Sequence, residues 1–175
     1  MLPTIQKIAA KLSPRLIEIR RHLHAHPELS GQEYKTAAYI AGVLSSCGYQ
    51  VQEMVGKTGV VAELKGHRKP NGDVLAIRTD MDALPIAEKV DLPFTSTSPG
   101  IMHACGHDVH TTVGLGTAMV LSELAGERET LFPSTTRFLF QPAEETAQGA
   151  RWMIEDCVMI DVSSIFGVHT FPCIL

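Results

Sequence analysis

The chain has 175 residues, a formal net charge of −4 and an apolar content of 45%. This length suits one globular domain with a core of its own, and the composition excludes a disordered or collagen-like chain. The weak charge without a Lys/Arg-rich run argues against a nucleic-acid partner, and no apolar stretch is long enough to suggest a membrane partner. Four widely spaced cysteines and an N-terminus unlike a signal peptide favour free thiols and a cytoplasmic location.

The first predicted elements are two helices. Apolar side chains recur at helical spacing over residues 14–25, and Pro27 marks the end of that helix. Ser30 and Glu33 then have the spacing of a capping box, in which each side chain binds a free backbone N–H group. We therefore expect the second helix to begin there and to end at Gly48, a natural left-handed cap.

The remaining pattern alternates strands and helices. Two strand-like runs, residues 60–64 and 74–77, flank a bend at residues 69–72, which predicts a hairpin. The elements that follow are predicted as helix, strand, helix and strand over residues 110–125, 136–140, 147–157 and 165–168. This order predicts an α/β sandwich with a mostly parallel sheet, formed by residues 1–175 as a single domain.

Polar side chains follow three of the predicted strands, at the positions where sheets of this class collect functional groups. Asp80 follows the second strand, the pair Glu144 and Glu145 follows the third, and His169 follows the last. Taken singly, each of these residues is more often a surface, capping or turn residue. Their joint occurrence at strand ends favours a common site.

The segment 102–110, MHACGHDVH, adds a thiol and an imidazole to this set. Cys105 and His107 flank a glycine that lets the backbone turn tightly, so both side chains can face one ion. Cysteine, histidine and glutamate together suit zinc, manganese or cobalt. In a neighbouring pair of glutamates, one can bind a metal while the other accepts a proton from the attacking water.

Other catalytic signatures are weaker or absent from the sequence. It contains no GxSxG, HExxH or GxxxxGK[ST] motif. Cys105 and His107 could instead form a thiol nucleophile and its base, as in a cysteine-dependent hydrolase. That alternative leaves Glu144, Glu145 and His169 without a function, so it ranks second among the enzyme hypotheses.

Five blocks of the sequence, taken together, resemble the metallopeptidase family M20. They read RRHLHAHPELSGQE, RTDMDALPI, MHACGHDVHTTVGLGTA, FQPAEE and GVHTFP. The resemblance is strongest to its amidohydrolase subgroup, which contains N-acyl-L-amino acid amidohydrolases, hippurate hydrolases and plant auxin–amino acid conjugate hydrolases. It implies a zinc-peptidase-like, three-layer α/β sandwich with a mostly parallel mixed sheet, and it allows a homodimer.

The resemblance also implies a cofactor, a substrate and residue roles. Family members bind two divalent metal ions, Mn²⁺ or Zn²⁺, and hydrolyse the amide of N-acyl amino acids. Glu144 resembles the general base and acid, while Asp80 resembles a supporting residue because Arg78 occupies the place of a histidine ligand found elsewhere in the family. Four residues resemble metal ligands: Cys105, His107, Glu145 and His169.

Family members are longer than this chain and contain a lid domain and a further histidine ligand near their C-terminus. We therefore expect a truncated catalytic domain without the lid. Two functional hypotheses follow, namely metal-dependent hydrolysis of N-acyl amino acids or a silent fragment that only folds or dimerises. Three other residues of the 102–110 segment are expected to orient the ligands or face the substrate: His103, Asp108 and His110.

Overall fold

The computed structural model describes residues 1–66, 73–127, 132 and 134–170. The helices are α1 (Leu2–Ala25), α2 (Tyr34–Ser46), α3 (His107–Glu127) and α4 (Gly149–Glu155). The strands are β1 (Gln50–Val55), β2 (Gly59–Leu64), β3 (Val74–Asp80), β4 (Thr136–Gln141) and β5 (Val162–Gly167). None of the described helices combines the length and apolar character needed to cross a membrane.

The five strands form one mixed sheet in the order β1-β2-β4-β3-β5. β3 runs parallel to both β4 and β5, whereas β2 runs antiparallel to both of its neighbours. All strands except β2 therefore point the same way, and the mostly parallel sheet predicted from the sequence is confirmed. The carboxyl ends of β4, β3 and β5 lie side by side at one edge of the sheet.

Helices cover both faces of the sheet, which confirms the three-layer sandwich. On one face, α1, α2 and α3 bury a large apolar cluster against β2 and β4. Its largest fully buried side chains are Ile19, Ile40, Leu44, Met81, Leu115, Phe138 and Phe140. On the other face, Met153 of α4 packs with a smaller cluster that includes Val61 and Leu139. Alternating side chains of one strand thus serve both layers.

Helix α1 is longer than the pattern predicted. It begins at Leu2 and passes through Pro14, ending at Ala25 as expected. A proline inside a helix removes one backbone donor and therefore destabilises the helix locally. Ile8 and Leu12, which precede Pro14, pack with Leu124 of α3. Tertiary packing therefore outweighs the local cost of the proline.

The hairpin predicted between the strands at residues 60–64 and 74–77 is wrong. β2 and β3 are not neighbours, because β4 lies between them. The hairpin of this part of the fold joins β1 to β2 and turns at residues 55–59. Residues 69–72, on which the prediction rested, lie outside the described residues.

The capping box predicted at Ser30 and Glu33 is also wrong. Ser30 donates its hydroxyl hydrogen bond to Asp82, 2.6 Å away, and Glu33 makes no cap contact at α2. The cap is supplied by Glu28 instead, which accepts hydrogen bonds from the Thr36 N–H and hydroxyl at 2.8 and 2.9 Å. Ser30 and Glu33 therefore do form hydrogen bonds, but with Asp82 and Ala143, which are distant in sequence.

Candidate metal centre

The predicted site residues converge on the edge where the parallel strands end. Asp80 is the last residue of β3, and Glu144 and Glu145 lie in a turn after β4 (residues 142–149, here the glutamate turn). Cys105 and His107 arrive from the opposite side, at the start of α3. This convergence follows from the parallel direction of β3 and β4, which brings their carboxyl ends together.

Three of the four predicted ligands lie close enough to share an ion. Donor atoms of Cys105, His107 and Glu145 are all within 4.8 Å of one another. Nε2 of His107 and Oε1 of Glu145 are buried and have no hydrogen-bond partner in the described structure. Buried polar atoms without partners are costly, so two of them in one predicted ligand set form the cradle that a cation would complete.

His107 is held with one ring nitrogen bound and the other facing carboxylates. Its Nδ1 lies 2.9 Å from the carbonyl oxygen and 3.1 Å from Oδ1 of Asp82, so Nδ1 is the donor. Nε2 is 3.6 Å from Glu144 Oε2 and 3.7 Å from oxygens of Glu145 and Asp80. Burial lowers the pKa of His107, but the hydrogen bond to Asp82 and the surrounding carboxylates outweigh it and raise that pKa.

Cys105 does not have the environment of a cysteine nucleophile. Burial, followed by the negative charge of Glu145, raises the pKa of the Cys105 thiol to about 11. A reactive cysteine needs a lowered pKa and an electropositive neighbourhood. A divalent cation bound beside Cys105 would favour the deprotonated thiol, so the residue would then serve as a thiolate ligand.

A second group of donors, formed by Asp80, His107 and His110, also lies within 4.8 Å. In this group both ring nitrogens of His110 are already engaged. Nδ1 lies 2.6 Å from Oδ1 of Asp80, while Nε2 accepts a hydrogen bond from the Thr170 N–H at 2.8 Å. His110 therefore acts as a support between β3 and the segment after β5.

The fourth predicted ligand, His169, lies beside this group and outside both sets of donors. Its ring centroid is 4.9 Å from that of His110, and its side chain is exposed. Because His110 holds the backbone of Thr170, it also fixes the neighbouring residue. His169 is thus near the centre but not within the described cradle.

The other residues expected to orient the ligands differ in what they contact. Asp108 binds α1 through His24 at 2.7 Å and Arg20 at 3.1 Å. His103 is buried, and burial lowers its pKa to about 4, so it is neutral near pH 7. Neither of its ring nitrogens has a hydrogen-bond partner among the described residues.

Asp82 is the supporting residue that the sequence interpretation missed. One carboxylate oxygen accepts the His107 hydrogen bond, and the other accepts from Ser30 and from the Glu145 N–H at 3.1 Å. Burial raises its pKa, but these three hydrogen bonds outweigh that effect and lower it. The signal was present in the block RTDMDALPI, where Asp82 follows Asp80 by two positions on the same side of the chain.

More than half of the sequence matches an established family of peptidases. Residues 76–175 match the Peptidase family M20/M25/M40. The chain belongs to that family. The resemblance drawn from the five sequence blocks is therefore confirmed, including the position of this M20 chain among amidohydrolase relatives.

Three M20-related proteins illustrate the similarity. An N-acetylcysteine deacetylase of Bacillus subtilis is 50% identical over 90% of this chain, which spans 40% of that relative. An N-acyl-L-amino acid amidohydrolase of Geobacillus stearothermophilus is 45% identical over 94% of this chain and 43% of its own length. The crystal structure of a dinuclear metal-binding M20 peptidase of Bacillus subtilis superposes with a TM-score of 0.86 at 48% identity, covering 94% of this chain and 44% of that one. This chain thus spans well under half the length of these relatives.

Proposed function

We propose that this M20 chain binds divalent metal and takes part in hydrolysing the amide bond of N-acyl amino acids. Cys105, His107 and Glu145 would hold an ion, with His169 as a further ligand and Asp80 as a support. The observation that carries the proposal is the pair of buried, unpartnered atoms on His107 and Glu145. Proteins tolerate such atoms mainly where an ion or water completes them.

The metal-binding set fits Zn²⁺ or Mn²⁺ by its chemistry. Thiolate and imidazole favour Zn²⁺, whereas a cluster of carboxylates also suits Mn²⁺. A bound ion of this kind polarises the scissile carbonyl and acidifies the attacking water. Two ions are proposed, in keeping with the dinuclear description of the related Bacillus subtilis peptidase.

Glu144 is the proposed general base and acid. Its side chain is 38% exposed, so it can meet a substrate, yet its Oε2 lies only 3.6 Å from Nε2 of His107. A carboxylate there can take a proton from the attacking water and return it to the leaving nitrogen. Asp80, which is fully buried and accepts a hydrogen bond from Arg78 at 2.8 Å, cannot reach solvent in this way.

The substrate class rests on the two curated relatives. One removes an acetyl group from N-acetylcysteine and the other acts on N-acyl-L-amino acids, by their names. We propose a substrate of the same class for this chain. A cytoplasmic location and a homodimer stay predictions from the sequence.

A second candidate function is a metal-binding domain without turnover of its own. The observation in its favour is that the chain spans 40% to 44% of the length of the relatives described above. In this case the metal centre would stabilise the fold but would not turn over substrate.

The test is hydrolysis of an N-acetyl amino acid by the purified chain with Zn²⁺ or Mn²⁺, compared with Glu144→Gln. We expect Glu144→Gln to lower kcat by a factor on the order of 100 to 10,000, while the metal-induced rise in Tm persists. A metal-dependent Tm without turnover supports the second candidate. Hydrolysis that persists after chelation but is lost in Cys105→Ser supports a thiol nucleophile. A Tm that does not change when metal is added refutes the metal centre.

A further inference from the structure

The glutamate turn is built around the backbone of Ala143. This residue is fully buried and has a φ of +47°, in the left-handed region that residues other than glycine rarely adopt. Its carbonyl oxygen accepts hydrogen bonds from the N–H groups of Gln148 and Gly149, both at 3.2 Å. The carbonyl of Ala143 therefore closes the turn. The N–H group of Ala143 takes no part in this closure and can donate to a side chain from another element.

Glu33, just before α2, holds that N–H group. Its Oε1 accepts hydrogen bonds from the Ala143 N–H at 2.8 Å and from the Gly31 N–H at 2.9 Å. Its Oε2 accepts a hydrogen bond from the Thr58 hydroxyl. The side chain thus ties the loop before α2 and the start of β2 to a turn that is 110 residues away in sequence.

The burial of Glu33 is difficult to explain by stability alone. The side chain has no accessible surface, and its hydrogen-bond donors among the described residues are all neutral groups. Removing a carboxylate from water is expensive, and here only neutral donors compensate it. An apolar side chain would fill the same space at lower cost but could not accept these three hydrogen bonds, so Glu33 is better explained by the geometry that it imposes.

The position of Ala143 determines what its anchoring does. Ala143 directly precedes Glu144 and Glu145, and Asp82 holds the Glu145 N–H between these two residues. Two buried carboxylates thus hold the first half of the glutamate turn at two backbone N–H groups. A displacement of even 1 Å of such groups is large compared with the tolerance of ligand and base geometry.

We propose that Glu33 is a positioning residue of the metal centre, which holds the glutamate turn through the Ala143 N–H so that Glu144 and Glu145 face His107. This inference rests on the function proposed for the two glutamates. It assigns Glu33 a geometric role, since the contact with the turn is made to a backbone N–H group. The reach of the side chain, and not its charge, is therefore the property to test.

Two conservative variants separate reach from charge. Glu33→Gln keeps the length and can keep an oxygen facing the Ala143 and Gly31 N–H groups, while the Thr58 hydroxyl can rotate to accept from the new amide. Glu33→Asp keeps the charge but is one methylene too short for the turn. We expect Glu33→Asp to weaken Zn²⁺ or Mn²⁺ affinity on the order of 10-fold to 100-fold, and Glu33→Gln to retain it.

A second readout does not depend on metal. Amide hydrogen exchange of the glutamate turn in the metal-free chain should become on the order of 10-fold faster in Glu33→Asp and remain unchanged in Glu33→Gln. Thr58→Val is the matched control, because it removes one Glu33 partner without touching the turn. It should lower Tm but leave both exchange in the turn and metal affinity unchanged. If Glu33→Asp does not fold, Glu33→Asn offers the same short reach without a buried charge.

The outcomes discriminate between the two proposals. If amide exchange in the glutamate turn is unchanged in both Glu33→Asp and Glu33→Asn, the proposed role of Glu33 is overturned. A loss of metal affinity in Glu33→Gln that Glu33→Asp does not show also overturns it. Equal losses in Thr58→Val and Glu33→Asp also overturn it, because they indicate general destabilisation. If the wild-type chain ignores metal but exchange follows the expected order, the proposed function fails while the role of Glu33 in holding the turn is supported.

Discussion

Two buried histidines of this protein have similar surroundings and differ in one respect. His24 of α1 lies between Asp108 and Glu88, and its two ring nitrogens are 2.7 and 2.9 Å from their carboxylate oxygens. His107 also lies among carboxylates, with Nδ1 bound to Asp82, but its Nε2 has no hydrogen-bond partner among the described residues. The first cluster is complete in itself, whereas the second is complete only on one side.

This difference separates a structural cluster from a functional one more clearly than residue type does. The His24 cluster links α1 to α3 through Asp108 and to the connection after β3 through Glu88. Glu88 also accepts a hydrogen bond from the Ser96 N–H at 2.7 Å within that connection. Both ring nitrogens of His24 are therefore used in hydrogen bonds that stabilise the fold. The His107 cluster keeps a buried lone pair and a buried carboxylate oxygen available, which is the state expected of a ligand set.

The largest expected effect is on metal binding by His107→Asn. Asparagine can imitate the Nδ1 hydrogen bond to Asp82 but has no atom at the position of Nε2, so the ion loses one ligand while the support remains. We expect affinity for Zn²⁺ or Mn²⁺ to fall by on the order of 100-fold or more. The measurement is metal-dependent Tm and titration calorimetry. Unchanged affinity would place the ion elsewhere.

The matched substitution in the closed cluster, His24→Asn, should act on stability instead. It can keep the contact with Asp108 but leaves Glu88, whose side chain is only 4% exposed, without its imidazole partner. We expect the free energy of unfolding to fall by about 2 kcal/mol, with metal affinity unchanged. Chemical denaturation of the metal-free chain measures this. A loss of metal affinity as large as in His107→Asn would remove the distinction between the two clusters.

The smallest expected effect is the pH dependence of the open cluster. The pKa of His107 is raised above its ordinary 6.5, so its contribution to stability is present below pH 6.5 and is lost as the pH rises through the raised value. The pKa of Asp82 is lowered below 3.8, so its contribution is present above pH 3.8 and is lost as the pH falls through the lowered value. The metal-free chain should therefore lose stability on both sides of this window.

Metal binding should have the opposite dependence on the alkaline side. The proton on His107 must leave before Nε2 can bind an ion, and so must the proton of the Cys105 thiol. Affinity should therefore rise with pH by up to about 100-fold per unit below the raised pKa of His107. Calorimetry in buffers of different ionisation enthalpy measures the released protons. An affinity that is flat across this range would show that His107 does not exchange a proton for the ion.

Much of the fold and part of the site could be predicted from the sequence. The strand ends at Asp80 and Glu144 were identifiable because a short apolar run ends there in polar residues, and parallel strands bring such ends together. Cys105 and His107 were identifiable by their spacing and chemistry. The family resemblance then supplied roles that no local pattern contains.

The supports could not be predicted, because their partners are remote in sequence. Glu33 reaches Ala143 across 110 positions, and His24 reaches Asp108 across 84. Local rules misinterpreted Ser30 and Glu33 as a capping box, although their partners lie in other elements. Likewise, the extension of α1 through Pro14 depends on contacts with α3, which no helical propensity describes.

Strand β5 has a consequence for how the chain behaves at high concentration. Among the described strands it pairs only with β3, and it exposes Ile165 by 48% and Phe166 by 61%. An open strand edge with apolar side chains is a template for intermolecular strand addition and aggregation. A charged side chain on this strand, such as lysine in place of the exposed Ser164, would disfavour such strand addition. The pairing of β3 with β4 would remain intact, because it lies on the other side of β3.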